Sequence, residues 1–231
     1  MATRLSKTIL AICLALLASA GMAADTKVEA LLAKMRQAYS SIQSARLETT
    51  TYEHEFNAHG IAESGLMVYD MSVLYKRPNL IRAVVNGGTF PTTRIILAKG
   101  ASIETTMGKL RLRSFPFTFD AMSRVLPANL ETLCFWDWDV QLSTEQGKNM
   151  HASTFRLIEN VPWNGKRWTV LEESAVNVDR LCIYYIDPKT NLMWRTFIRA
   201  LGSRREIQDA RIVRMVLNPP VADTDFVQHK R

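Results

Sequence analysis

Four histidines, His54, His59, His151 and His229, are the first residues to test for chemistry. His54 and His59 flank a turn beside Glu53 and Glu55, residue types that bind divalent metals. Their spacing matches no common ligand pattern, which favours solvated turn histidines. Cys134 with His151 would supply a thiol nucleophile and a base. Asp137 and Asp139, alternating with Trp136 and Trp138, would supply a pair of carboxylates for acid–base work. A core or disulfide role for the cysteine and an exposed polar edge for the aspartates are the simpler readings. The chain has no Gly-x-Ser-x-Gly elbow and no phosphate-cradling glycine loop. The expectation is a non-catalytic protein with no metal and no cofactor.

One arginine stands out instead. In Tyr75-Lys76-Arg77-Pro78-Asn79, proline pushes Arg77 towards extended backbone and marks a bend or an edge. Met67, Tyr69, Met71, Val73 and Tyr75 alternate before the bend, and Ile81, Ala83 and Val85 alternate after it. Period-two alternation is the pattern of strands with one buried face. A guanidinium is therefore held at a strand corner beside an apolar surface. The chain also carries 10 Met, 9 Phe and 5 Trp, and methionine suits an adaptable cavity. Candidate lining residues are Met67, Tyr69, Met71, Val73, Tyr75 and Ile81 on strands. Phe117, Met122, Leu126, Leu130 and Trp136, in the middle of the chain, are the others.

The first residues fix the expected compartment. Arg4 and Lys7 precede an apolar run from Ile9 to Leu17, and Gly21-Met22-Ala23 supplies small residues for cleavage near Ala23. This pattern predicts a signal peptide over 1–23, cleaved to leave an exported, soluble protein. Cys13 lies inside the apolar run, not at a lipoprotein cleavage site, so no lipid anchor is expected. Residues 24–231 suffice for a single domain with a sizeable core. Without Arg4 and Lys7, 27 of the 29 Lys and Arg remain against 22 Asp and Glu, a net charge of +5. The charge is spread along the chain with no basic run or aromatic–basic motif, which argues against nucleic acid. Cys134 and Cys182 survive processing, as a candidate disulfide or as two separately buried thiols.

Thr26 and Glu29 fit a capping box, and Val28, Leu31, Leu32, Met35, Tyr39 and Ile42 form one apolar stripe at helical spacing. Strands are expected over Ala45–Phe56, Ile61–Tyr75, Leu80–Val85, Arg94–Ala98, Ser102–Met107 and Leu110–Arg113. Short turns join them, so they predict an antiparallel meander. Residues from Phe115 to about Gly147 read as a helical insertion, with short helices near Asp120–Leu126 and Pro127–Cys134. Four more strands are expected at Arg167–Glu173, Arg180–Ile186, Leu192–Ala200 and Arg211–Leu217. Asp187-Pro188-Lys189-Thr190-Asn191 is the turn of a hairpin, and Phe226 anchors the tail. The sum is an α+β fold, a half-open antiparallel barrel with an N-terminal helix and a short helical lid over an apolar cavity.

Lys76-Arg77-Pro78-Asn79-Leu80, the Asp187-Pro188-Lys189-Thr190 hairpin and the late Asp225-Phe226 together resemble the periplasmic lipoprotein-carrier family, with its LolA/LolB-like fold. The resemblance covers residues 26–113 and 165–227. It implies about eleven strands and a cavity that takes acyl chains of lipid or lipoprotein. It also implies a monomer and a membrane-protein donor or acceptor. In that family the corner arginine holds the lid closed through hydrogen bonds, a role that falls on Arg77. The chain departs from the family at Lys99-Gly100, where an Asp-Gly turn is usual, and across 114–164. Exported regulators of the same fold sense lipoprotein or lipid, and the resemblance implies that use as the alternative.

Overall fold

The computed structural model describes residues 26–56, 62–78, 80–88, 92–99, 102–108, 110–116, 153–175, 180–201 and 206–227. Helix α1 spans residues 26–40. The first meander holds β1 (Ser44–Phe56), β2 (Ala62–Lys76), β3 (Leu80–Gly87), β4 (Arg94–Lys99), β5 (Ser102–Met107) and β6 (Leu110–Pro116). The second holds β7 (Ser153–Trp163), β8 (Lys166–Ala175), β9 (Arg180–Ile186), β10 (Met193–Ala200) and β11 (Glu206–Leu217). A 3-10 turn, η1, follows at Asp223–Phe226.

All these strands join one antiparallel sheet in the order β6-β5-β4-β3-β2-β1-β11-β10-β9-β8-β7. The first meander runs outward from β1 and the second runs inward to β11. The first and last strands therefore meet at the centre, in register from Ala45↔Leu217 to Glu53↔Gln208. The edges are β6 and β7, and residues 117–152 join one edge to the other. An open antiparallel sheet with one helix among the described residues is consistent with a half-open barrel.

The alternation read from the sequence fixes which face is covered. Tyr69, Met71, Val73 and Tyr75 of β2 and Ile81, Ala83 and Val85 of β3 are all buried. They share one apolar cluster with Val28, Leu31, Met35, Tyr39 and Ile42, the predicted stripe of α1 and its end. The helix thus lies on this inner face, because neither surface could stay exposed without losing about 1.5–3 kcal/mol for each large side chain. Met35, Tyr39 and Ile42 are among the most completely buried side chains described.

One expectation needs correction. The sequence signals four strands in the second meander; the structure adds a fifth, β7, at 153–163, and β6 runs on through 114–116. β7 pairs with β8 around a tight hairpin at Asn164-Gly165, both with positive φ (48° and 73°). Asn-Gly is the preferred pair for such a turn, because both central residues need left-handed backbone. A register shift between Ile158 and Val161, with Asn160 at φ 62°, interrupts the alternation that would otherwise mark β7. The expected short helices at 120–134 lie outside the described residues.

The Gly87-Gly88 turn binds β3 back to β2. Gly87 has φ +90°, and a Cβ there would stand 2.3 Å from the carbonyl oxygen of Val68. That neighbour is backbone and cannot swing away. Gly87→Ala is expected to cost about 2 kcal/mol and to lower the thermal midpoint by roughly 4–8 °C. An unchanged melting curve would contradict this account of the turn.

Candidate functional site

The end of a helix leaves carbonyl oxygens without partners and carries partial negative charge. At the end of α1 the corner arginine supplies donors. Arg77 Nε donates to the carbonyl of Ile42 at 2.8 Å, and Nη2 donates to that of Tyr39 at 3.0 Å. Its amide donates to Gln43 O at 2.8 Å. The Arg77-Pro78 peptide is cis. The guanidinium is thus fastened to the end of α1 and the turn after it.

The same corner is tied from other directions. The Met193 amide, at the start of β10, donates to Tyr39 Oη at 3.0 Å, stitching α1 to the second meander. Gln43 N and Ser44 N donate to Asn218 Oδ1 at 2.8 and 3.3 Å. Lys76 Nζ donates to Val221 O at 3.2 Å and to Asp223 Oδ1 at 2.6 Å. A hydrogen bond from Lys76, reinforced by its charge, lowers the Asp223 carboxyl below its ordinary range. That pair is exposed and contributes little to stability. Tyr39→Phe is expected to orphan the buried Met193 amide at a cost of about 1–2 kcal/mol. Hydrogen exchange at Met193 should then accelerate; unchanged protection would show that the phenol oxygen matters little.

Along the inner face, polarity changes with distance from this corner. The rows nearest it are apolar: Tyr75, Ala45 and Ile81, then Leu47, Val73 and Ala83. Two strand steps further, Tyr69, Thr51, Ala210, Thr196 and Tyr184 form a continuous row across five strands. Beyond it lies a row with Glu53, Gln208, Ile198, Cys182 and Glu173. Thr49 and Thr51 are 3% and 0% exposed, and neither hydroxyl has a hydrogen-bond partner among the described residues. Tyr69 Oη and Thr196 Oγ1 face methionine sulfurs, those of Met67 and Met193, at 3.5 and 3.2 Å.

Of the candidate lining residues, Tyr69, Met71, Val73, Tyr75 and Ile81 are buried on this face and Met67 is half-buried against it. Phe117, Met122, Leu126, Leu130 and Trp136 lie outside the described residues. So do His59, His151, His229, Asp137, Asp139 and Cys134. Cys182 is a free thiol, and Cys134, the other half of the candidate disulfide, is not among the described residues. It is half-buried at the strand centre, and burial, with the Glu173 charge, pushes its pKa up. Tyr184, whose hydroxyl donates to Glu173 Oε2 at 2.7 Å, is raised well above its ordinary value, chiefly by burial. A raised thiol is a poor nucleophile.

The outer face carries a cluster that the sequence reading did not single out. Arg195 Nε and Nη2 donate to Asp209 Oδ1 and Oδ2 at 2.7 and 2.8 Å. Arg211 Nε donates to the same Oδ2 at 2.9 Å, with its Nη2 alongside. The Arg195 guanidinium stacks within 4.8–5.1 Å of the ring centroids of Trp163, Tyr185 and Phe197. Burial works to raise the Asp209 pKa, and hydrogen bonds from both arginines outweigh it, holding the carboxyl below its ordinary range. Asp209 and Arg211 are two apart on one strand, so the sequence places them on one face. Arg195, reached only through strand pairing, gives no such signal.

A cleft of about 380 Å³ lies between two hairpin turns, against Lys166, Arg167, Trp168, Asp187, Pro188 and Lys189. Among the described residues no group of three or more His, Cys, Asp or Glu could hold a metal, and no helix is long and apolar enough to cross a membrane.

No family model matches the sequence, and no curated protein matches it. Solved structures with similar shape include MucB, 12% identical, with a TM-score of 0.45 over 89% of this chain. This chain spans 64% of that one. They also include the MucA/MucB complex from Pseudomonas aeruginosa, 12% identical, with a TM-score of 0.42 over 86% of this chain and 59% of the other. A LolA superfamily protein from Nitrosomonas europaea is 12% identical, with a TM-score of 0.44 over 87% of this chain and 97% of the other.

Proposed function

We propose that this chain is a non-catalytic periplasmic carrier that holds acyl chains of lipid or lipidated protein on the inner face of the sheet. The observation that carries the reading is the fastening of α1. A helix lies on the apolar face of an open sheet, and its end is clasped by the Arg77 guanidinium at 2.8 and 3.0 Å. Such a clasp can open without disturbing the sheet's own hydrogen bonds. Each methylene buried on that face is worth about 0.8 kcal/mol, so a single long chain gains several kcal/mol. The N-terminal stretch 1–23 supports export as a single domain over 24–231.

The test is a fluorescence titration of the mature chain with cis-parinaric acid. Saturable binding, reversed by an unlabelled fatty acid, is expected; no enhancement at any concentration would overturn the reading. A sensor using the same interior would instead stay bound to the periplasmic domain of a membrane protein, which a pull-down would recover.

A further inference from the structure

Thr49 and Thr51 are the feature of the inner face that packing alone does not explain. Both sit on β1 with their side chains on the face that α1 covers, between Ile212 and Met71 and between Ala210 and Tyr69. A valine has the same shape and equal preference for a strand. Each threonine instead buries a hydroxyl with no partner among the described residues, a loss that native proteins seldom leave uncompensated. Two such hydroxyls, alternate residues on one strand and about 7 Å apart, are placed to donate to the oxygens of a ligand.

The surroundings define the rest of that ligand. Towards the Arg77 corner the face carries Leu47, Val73 and Ala83, which suit hydrocarbon. Away from it, the next row brings Glu53, Gln208 and Glu173. Carboxylates accept hydrogen bonds from hydroxyl, amide or ammonium groups and repel an anionic head. Resting on the carrier reading above, we propose that Thr49 and Thr51 form a subsite for the ester or amide carbonyl of an acylated ligand. The chain then lies towards the Arg77 corner, and a neutral or cationic head lies towards Glu53, Gln208 and Glu173.

Two ligands differing only at the carbonyl test this: 1-oleoylglycerol, an ester, and 1-oleylglycerol, its ether. Each is measured by displacement of cis-parinaric acid, with oleate as the anionic comparison. The wild-type protein is expected to prefer ester over ether by about tenfold and to bind oleate more weakly than the ester. The double variant Thr49→Val/Thr51→Val removes only the hydroxyls. It should fold with an unchanged or higher urea midpoint, bind the ether as before and lose the preference for the ester. If wild-type protein binds none of the three, the carrier reading itself fails. If it binds ester and ether equally, favours oleate, or keeps the ester preference in the double variant, the subsite is wrong while the carrier reading stands.

Discussion

Replacing Asp209 with alanine is expected to cost about 3–5 kcal/mol, the range for removing one partner of a buried ion pair. The carboxylate is the shared acceptor of Arg195 and Arg211. Arg195 has a side chain only 13% exposed, so its charge cannot turn to water once the partner is gone. The aromatic rings of Trp163, Tyr185 and Phe197 remain, but stacking recovers only about 0.5–2 kcal/mol. Urea unfolding should show a large fall in midpoint. The double variant Asp209→Leu/Arg195→Met should restore much of it, because it deletes both buried charges together. Equal destabilisation in the two variants would contradict the pairing.

The pH dependence follows from the same geometry. The folded pKa of Asp209 lies below its ordinary value, so the folded state binds the proton less readily than the unfolded chain. Its stabilisation is complete above the unfolded pKa, about 4. It is lost as pH falls through the lower, folded value. The gap between wild-type protein and Asp209→Ala should therefore narrow as the solution is acidified through this range. A constant gap would mean that the carboxylate's charge is not what stabilises the cluster.

Arg77→Leu is the second large effect. It leaves the carbonyls of Tyr39 and Ile42 without the guanidinium that α1 uses at its end. Hydrogen bonds to a charged donor are worth about 1.5–3 kcal/mol, so a loss of about 2–3 kcal/mol is expected. Most of it should appear locally. Amide exchange should quicken along α1 while β1, β2 and β11, paired at the centre of the sheet, stay protected. Ligand exchange should accelerate too. Arg77→Lys should rescue little, since an ammonium cannot reproduce the two-pronged geometry. If α1 keeps its protection in Arg77→Leu, the clasp is not what holds the helix.

The inner face of β2 and β3 was legible because Tyr69, Met71, Val73, Tyr75, Ile81, Ala83 and Val85 keep strict alternation, and each is buried. The stripe of α1 was legible for the same reason at a different period. β7 was not, since Asn160 and the shift before Val161 break its alternation, although Asn164-Gly165 was a readable hairpin signal. The corner announced Arg77 through Pro78, but its partners, Tyr39 at the end of α1 and Ile42 just after it, belong to a segment that local sequence cannot place beside it. Thr49 and Thr51 read only as strand formers. That their hydroxyls are stranded depends on Ala210, Ile212 and the covering helix, all distant in sequence. Cross-strand chemistry of this kind, like Arg195 on Asp209, becomes visible only once the register is known.

The most direct test of acyl-chain carriage is organic extraction and mass spectrometry of the protein isolated from the periplasm without delipidation. The account predicts acyl-containing molecules in stoichiometric amount, depleted when the Arg77→Leu variant is purified in the same way. Protein that yields no acyl species above the level of an unrelated periplasmic protein would contradict it.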